Sequence, residues 1–346
     1  MGSLDHSLPL ALTMGDPAGI GPEIILKAFA AQPDLMRRCC VIGNLGVMCK
    51  QLSGLSPYLR AGMSCVEVLH VSQVKDMKPG QIAVLNVTPD ADIATGLVSA
   101  AAGRMAADAV TWAAKAALRG EVQAVVTAPL HKKALSLAGV LHPGHTEMLQ
   151  ALAAEHIGLK VADLPVRMML SSQDLRVVLV SIHVPLRQAI DVVTTANVLQ
   201  TLQITHQSWP LLFGRHPNIW VAGLNPHAGE DGLFGTEEVE EISPAVIAAR
   251  GQGIQVEGPF PPDTVFMQAR QATGASAPDV VIAMYHDQGL IPVKYSGLES
   301  GVNQTLGLPF VRTSPDHGTA FDIAGQGKAD PASLLLAIQA ALRADF

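Results

Sequence analysis

Residues 10–32 read LALTMGDPAGIGPEIILKAFAAQ. The first five, Leu10 to Met14, have the length and apolar character of a buried strand. A turn carrying Gly15, Asp16, Pro17 and Gly19 follows. From Pro22 the apolar positions take a helical spacing, and a proline suits the first turn of a helix, where its missing N–H is not needed. The same order of strand, turn and helix recurs along the chain. CCVIGN (39–44), QIAVLNV (81–87), VQAVVTAP (122–129), NIWVAGLNPH (218–227) and DVVIAMYH (279–286) read as strands. RMMLSS (167–172) and LRVVLVSIH (175–183) read as neighbouring strands, and residues 95–121, 146–158, 236–253 and 331–344 as helices. Short apolar runs alternating with amphipathic ones predict an α/β fold with largely parallel, doubly covered sheets. No internal repeat or low-complexity linker marks a domain boundary.

The chain has 346 residues, 49% hydrophobic and 15% charged, with a net charge of -7. That length favours two domains, and the apolar content is ample for a large core. The negative balance gives no electrostatic case for nucleic acid, although a local basic groove could still take a small anion. Cys39, Cys40, Cys49 and Cys65 lack zinc-finger spacing and are expected to be buried, reduced thiols. The first residues do not have the charged-then-apolar pattern of a signal peptide, and no apolar run is long enough to span a bilayer, so the expected location is the cytoplasm.

Three of the strand-like runs end in histidine: His183, His227 and His286. In open α/β sheets ligands sit beyond the carboxyl ends of the strands, and three neutral imidazoles delivered there are a plausible set of divalent-metal ligands. The alternative is three unrelated polar caps, and the wide spacing does not choose between them. His145 and Thr146 stand at the start of a helix, where N–H groups favour an anion; on local sequence a simple cap by Thr146 is the plainer reading. Lys294, Asn303 and Arg312 lie in otherwise apolar stretches, where a cation is costly to bury without an anionic partner or an internal salt bridge. Asp263, in GPFPPDTVF, reads as a helix cap or as a carboxylate facing a site.

The turn MGDPAGIGPEI alone signals only a tight turn. DHGTAFDIAGQGKAD (316–330) is more informative. Its small residues permit close backbone approach, and Asp322 offers a carboxylate to ribose hydroxyls that would repel a 2'-phosphate, so NAD is expected over NADP.

Taken together, GDPAGIGPE, TAPLHK, GHTE, GLNPHAGE, GPFPPDT, AMYHDQG and the segment from Val302 through DHGTAFDIAG are identified as the motifs of the 4-hydroxythreonine-4-phosphate dehydrogenase family, along nearly the whole chain. Two of them are also similar to motifs of the isocitrate and isopropylmalate dehydrogenases. The resemblance implies two α/β/α domains with an interdomain cleft, as in those enzymes, in a homodimer with shared active sites. Residues 8–135 plus 303–346 would form the nucleotide-binding domain, and 136–302 the metal, substrate and dimerisation domain. His183, His227 and His286 would hold one divalent ion (zinc, cobalt, magnesium or manganese). His145, Thr146, Lys294, Asn303 and Arg312 would bind substrate, and Lys294 and Asp263 would be the catalytic pair. Gly15, Asp16, Gly19, His317, Gly318, Thr319, Ala320 and Asp322 would bind NAD.

The implied reaction is oxidation of 4-phosphooxy-L-threonine to a β-keto acid that decarboxylates to 3-amino-2-oxopropyl phosphate, in pyridoxal 5'-phosphate biosynthesis. Relatives in the same family act on D-threonate or D-erythronate 4-phosphate, and a more distant branch acts on a terephthalate dihydrodiol. PGHTEML counts against that branch, because it keeps the residues expected for a phosphate. Loss of a metal histidine or of Lys294 would have supported a non-catalytic binding protein, and all are present; a metallohydrolase would not need the DHGTAFDIAG loop.

Overall fold

A computed structural model describes residues 7–295 and 301–342. Residues 296–300 and 343–346 fall within the expected domain ranges, and residues 343 and 344 within the expected last helix; they lie outside the described residues. The strands are β1 (Leu10–Thr13), β2 (Cys39–Gly43), β3 (Ser64–Val68), β4 (Gln81–Asn86), β5 (Ala124–Thr127), β6 (Arg167–Ser171), β7 (Arg176–Leu179), β8 (Ile219–Ala222), β9 (Val256–Phe260), β10 (Val280–Ala283), β11 (Val302–Leu306) and β12 (Val311–Pro315). The helices are α1 (Gly21–Ala31), α2 (Leu45–Gly54), α3 (Ala100–Leu118), α4 (Lys132–Leu137), α5 (His145–Ile157), α6 (Leu186–Asp191), α7 (Thr195–Phe213), α8 (Ser243–Gly251), α9 (Val265–Gln271), α10 (His286–Tyr295) and α11 (Ala332–Leu342).

The chain divides into two compact units. The first holds the residues up to Leu164 and those from Leu308 onward; the second is Pro165–Gly307. The division thus falls later than the expected boundaries at 135/136 and 302/303. The physical reasons are local. Helix α5 packs on α3, which keeps residues 136–164 with the first unit. Strand β11 pairs with β6 from Val302 to Leu306, which keeps Asn303 with the second.

In the first unit the strand order is β3-β4-β2-β1-β5-β12, parallel throughout. β1, β2, β5 and β12 are buried at every position, as strands covered on both faces must be. Helix α3 covers β1, β2 and β5, while α11 lies on β5 and β12. Helix α3 begins at Ala100, inside the expected 95–121, because the Ser99 side chain caps it by accepting from the Ala102 N–H at 3.1 Å.

The second unit has the order β11-β6-β7-β10-β8-β9. β6 runs antiparallel to both its neighbours, and β7, β10, β8 and β9 are parallel. The apolar faces of β7 and β10, with Phe266 of α9 and Leu290 and Val293 of α10, form its core. The carboxyl ends of β7, β10 and β8 therefore lie side by side on one edge. Those are the three strands whose runs end in His183, His286 and His227. Among the described residues no helix is long and apolar enough to cross a membrane. All four cysteines are free thiols, as expected. Burial pushes the buried pair, Cys39 and Cys40, up to about 12. Cys49, exposed on α2, and Cys65, only half-buried in β3, depart from the expectation of burial.

Candidate active site

In the first unit, loops from three parallel strands meet beyond their carboxyl ends. Gly15 follows β1 with φ +71°, and a Cβ there would run into the Pro129 carbonyl and the Ala128 backbone, so only glycine lets these two loops touch. Asp16 is fully buried; its N–H bonds the Pro129 carbonyl at 2.9 Å and its Oδ1 accepts from the Ala18 N–H at 2.9 Å. Its Oδ2 is buried and has no hydrogen-bond partner among the described residues, and the same is true of His131 Nδ1. Burial raises the Asp16 carboxyl above its ordinary value; the Ala18 bond and nearby His131 pull it partly back. The His131 ring stacks on Phe321 with centroids 4.9 Å apart. Gly19 abuts Thr319, whose carbonyl accepts from the Ile20 N–H at 3.0 Å.

Thus Gly15, Asp16, Gly19 and Thr319, which the family resemblance assigns to the cofactor, lie together with His131 and Phe321. Ala320 is held at φ +41°, a conformation costly for a residue with a Cβ and one that recurs at binding loops. His317, Gly318 and Asp322 are exposed on the same loop. A cavity of about 660 Å³ opens alongside, lined by Pro17, Asn44, Lys50, Asp90, Thr95 and Gly325. Two orphaned buried polar atoms, a close backbone and an exposed carboxylate are the groups that fit a ribose-bearing dinucleotide.

The same unit brings Arg312 and His145 to the start of α5. Arg312 is 4% exposed, and its guanidinium donates from Nε and Nη2 to Thr127 Oγ1 at 3.2 and 2.8 Å. Burial lowers it to about 10, with Glu147 the neighbouring charge that favours its charged form. His145 is the first residue of α5. Burial, and then the Arg312 charge, hold it well below the ordinary histidine range, against a hydrogen bond to the Ala128 backbone. It is therefore neutral, with Nε2 buried and unpartnered among the described residues. The cap of α5 is Gly144, with no side-chain cap bond, so the reading of Thr146 as the N-cap does not hold; Thr146 stands at the second helical position. A buried guanidinium, a neutral imidazole and a helix N-terminus are groups whose chemistry suits phosphate or carboxylate.

In the second unit the histidines lie on the loops after their strands. The Val180 and Ser181 N–H groups bond the Ala283 and Met284 carbonyls at 2.9 and 3.2 Å, binding the exit of β7 to that of β10. His183 and His286 are thereby brought to 5.6 Å between ring centroids. His286 opens α10, and its Nδ1 donates to Asp287 Oδ1 at 2.7 Å. This leaves Nε2 as the lone-pair nitrogen, the usual arrangement of a metal-binding imidazole and its orienting carboxylate. Gln288 accepts from the Met284 N–H at 2.7 Å and donates to the Gly223 carbonyl at 2.8 Å, tying α10 to the loop after β8.

His227 sits on that loop and lines a cavity of about 1090 Å³ with Asp263, Phe266, Tyr285, Asp287 and Tyr295. Among the described residues no three histidine, cysteine or acidic side chains converge as a metal centre, so one chain brings His183 and His286 together but does not add His227. The donor chemistry fits a divalent ion for the pair. Asp263 is not a cap: α9 is preceded by Thr264, without a side-chain cap bond, and Asp263 is exposed on the cavity wall. Lys294 lies near the end of α10 and Asn303 in β11 opposite Leu170. His131, Phe321, Asp287 and Gln288 had no role assigned from sequence. The pair HD in AMYHDQG was the one available signal, since an aspartate beside a ligand histidine is a common orienting partner.

A family profile described as pyridoxal phosphate biosynthetic protein PdxA matches residues 36–341. A 4-hydroxythreonine-4-phosphate dehydrogenase of Beijerinckia indica is 48% identical over 345 residues, 98% of this chain and 95% of that one. A D-threonate 4-phosphate dehydrogenase of Salmonella typhimurium is 44% identical over 340 residues, 96% and 98% of the two chains. The crystal structure of a 4-hydroxythreonine-4-phosphate dehydrogenase from Klebsiella pneumoniae superposes with a TM-score of 0.84 at 39% identity, covering 97% of this chain and 99% of that one.

Proposed function

This chain belongs to the PdxA family of dehydrogenases, and from that premise we propose that it uses NAD to oxidise 4-phosphooxy-L-threonine at its secondary alcohol. The β-keto acid so formed loses carbon dioxide to give 3-amino-2-oxopropyl phosphate, in pyridoxal 5'-phosphate biosynthesis. The observation that carries the reading is the buried Arg312 guanidinium beside neutral His145 at the open end of α5, a receptor suited to the phosphate. Binding energy won there, away from the reacting carbon, orients the substrate for hydride transfer.

His183, His227 and His286 would hold the divalent ion (zinc, cobalt, magnesium or manganese). A bound divalent ion supplies Lewis-acid stabilisation of the developing alkoxide. Asp287 keeps the His286 ring in the ligating tautomer. The ring spacing supports His183 and His286 coming from one chain and His227 from its partner in a homodimer. Exposed Phe234, Ile291 and Tyr295 in the same unit support a contact between copies. Lys294 and Asn303 are assigned to the substrate. Lys294, with Asp263, is assigned the proton released from the hydroxyl or the charge left on it. NAD accepts the hydride; Asp16, His131 and the loop from His317 to Asp322 hold it, with Asp322 on the ribose hydroxyls. The cytoplasm is the proposed location.

A second reading is oxidation of D-threonate or D-erythronate 4-phosphate to dihydroxyacetone phosphate; relatives named for D-threonate 4-phosphate, at 44% identity, support its first substrate. The two readings differ at C2, which carries an amine in the first and a hydroxyl in the second. Steady-state kcat/KM with NAD separates them. A higher value for 4-phosphooxy-L-threonine than for the sugar-acid phosphates supports the first reading, and the reverse order replaces it with the second.

A further inference from the structure

The loop that carries His227 has an unusual backbone. His227, Ala228, Gly229, Glu230 and Asp231 are consecutive left-handed residues, with φ of 55°, 54°, 80°, 45° and 54°. Four of the five have a Cβ, and each is disfavoured there by the steric clash that makes right-handed helices the default. Such a run persists only where its surroundings over-determine it.

The surroundings converge on Glu238, which is 2% exposed. Its Oε1 accepts from the backbone N–H groups of Leu224 at 2.6 Å and Asn225 at 2.7 Å. Its Oε2 accepts from Asn225 Nδ2 at 2.9 Å, and Glu237 Oε2 takes a bond from that same nitrogen at 2.6 Å. The Asn225 carbonyl then accepts from the Ala228 N–H at 3.1 Å, at the start of the left-handed run. On the far side, Gly229 presses against the carboxylate; a Cβ there would lie 2.7 Å from Glu238 Oε2. Glu238 thus grips the two residues that lead into the turn and forms the floor beneath its middle. It opens a single π-helical turn, Glu238–Ile242, an irregularity frequent at functional sites.

We propose that Glu238 is a positioning residue. Its carboxylate holds residues 227–231 in the left-handed turn and so fixes the direction in which the His227 imidazole is presented to the cavity. The clamp on the backbone follows from the hydrogen bonds alone; its consequence for metal binding rests on the ligand role proposed for His227.

Glu238→Gln tests it. The amide keeps the shape, but one of its two ends must present N–H groups to donors that meet a carboxylate oxygen in wild type. Two measurements on the full-length protein decide the outcome. The first uses metal-free protein: the His227 ring resonances, assigned by their absence in His227→Ala, are expected to shift in Glu238→Gln while those of His206, stacked on His216, stay in place. The second is Co²⁺ titration against a competing chelator, followed by the ligand-field spectrum. Wild type is expected to bind, His227→Ala to lose affinity, and Glu238→Gln to lose about 10- to 100-fold, the usual effect of removing an outer-shell partner. In His227→Ala the added Glu238→Gln should cost nothing more, because the effect runs through that ring.

Unmoved His227 resonances, or a Co²⁺ loss that simply adds to that of His227→Ala, would overturn the assignment. Co²⁺ affinity that is the same in wild type and His227→Ala would instead defeat the ligand role of His227, and the resonance shift would still decide the clamp. If Glu238→Gln does not fold, Asn225→Ala removes the amide that Oε2 accepts and leaves both backbone bonds. It should shift the same resonances and weaken Co²⁺ in the same direction, and no change in either would also overturn the assignment.

Discussion

His145 shows how a single group ties stability to the proposed chemistry. It is kept neutral by burial and by the Arg312 charge, so its folded value lies well below the ordinary 6.5. Above pH 6.5 neither the folded nor the unfolded chain protonates it. As the pH falls, the unfolded chain takes up the proton first, and stability is lost until the folded value is reached. Thermal unfolding between pH 6.5 and about 5 should therefore fall more steeply in wild type than in His145→Asn, which removes the titration. Parallel curves would mean that His145 titrates normally. Asp322, exposed on its loop, should set the cofactor. Asp322→Ala is expected to reduce the preference for NAD over NADP by about 10-fold or more, the scale of one charged hydrogen bond to a hydroxyl. An unchanged ratio of kcat/KM values would remove Asp322 from the ribose.

Among the elements, α10 carries His286 and Lys294 of the proposed site, and its packing depends on Gly289. A Cβ there would stand 2.5 Å from Leu179 Cδ2 and 2.7 Å from Val177 Cγ1, so the helix lies against β7 with no room for a side chain. Gly289→Ala should cost about 1–3 kcal/mol by overpacking, read as a lower denaturant midpoint at unchanged slope. Full stability in that variant would show that α10 can shift freely. β7 and β10, which hold this helix, and their neighbour β8 were legible because they are short and nearly continuous in apolar residues, the mark of parallel strands buried on both faces. Four other strands were not. β3 is an edge strand with only Val68 buried, and β9 contains Gly258 and Pro259. β11 carries Asn303 and Gln304, and β12 carries Arg312. A polar residue inside a strand makes sense only once its partner is known, and Arg312 finds Thr127 from a strand far away in sequence. The strand-end histidines were legible for the same reason as their strands. The left-handed turn at 227–231 was not, because only one of its five residues is glycine and its support comes from Glu238, on a later element.

For the whole molecule, the dimer is the part of the proposal that sequence could reach only through family resemblance. With His183 and His286 adjacent in one chain, His227 is the ligand expected from the partner. Mixing subunits of His183→Ala with subunits of His227→Ala tests this. A mixed dimer then has one site carrying both changes and one carrying neither. In a random equal mixture activity should return to about a quarter of wild type, since half of the dimers are mixed and each has one intact site. No recovery, with subunit exchange demonstrated, would place both ligands in the same chain.

The most direct measurement is NADH formation, followed by absorbance, with a phosphorylated four-carbon hydroxy acid as substrate. It is run on protein as purified, on protein stripped by a chelator, and on stripped protein resupplied with zinc, cobalt, magnesium or manganese, with released carbon dioxide measured in parallel. Turnover should match carbon dioxide mole for mole, disappear on stripping and return with the metal; the same acid without its phosphate should be a poor substrate. Full turnover in exhaustively metal-free protein, or equal turnover with and without the phosphate, would contradict the assignment of the three histidines or of the Arg312 site.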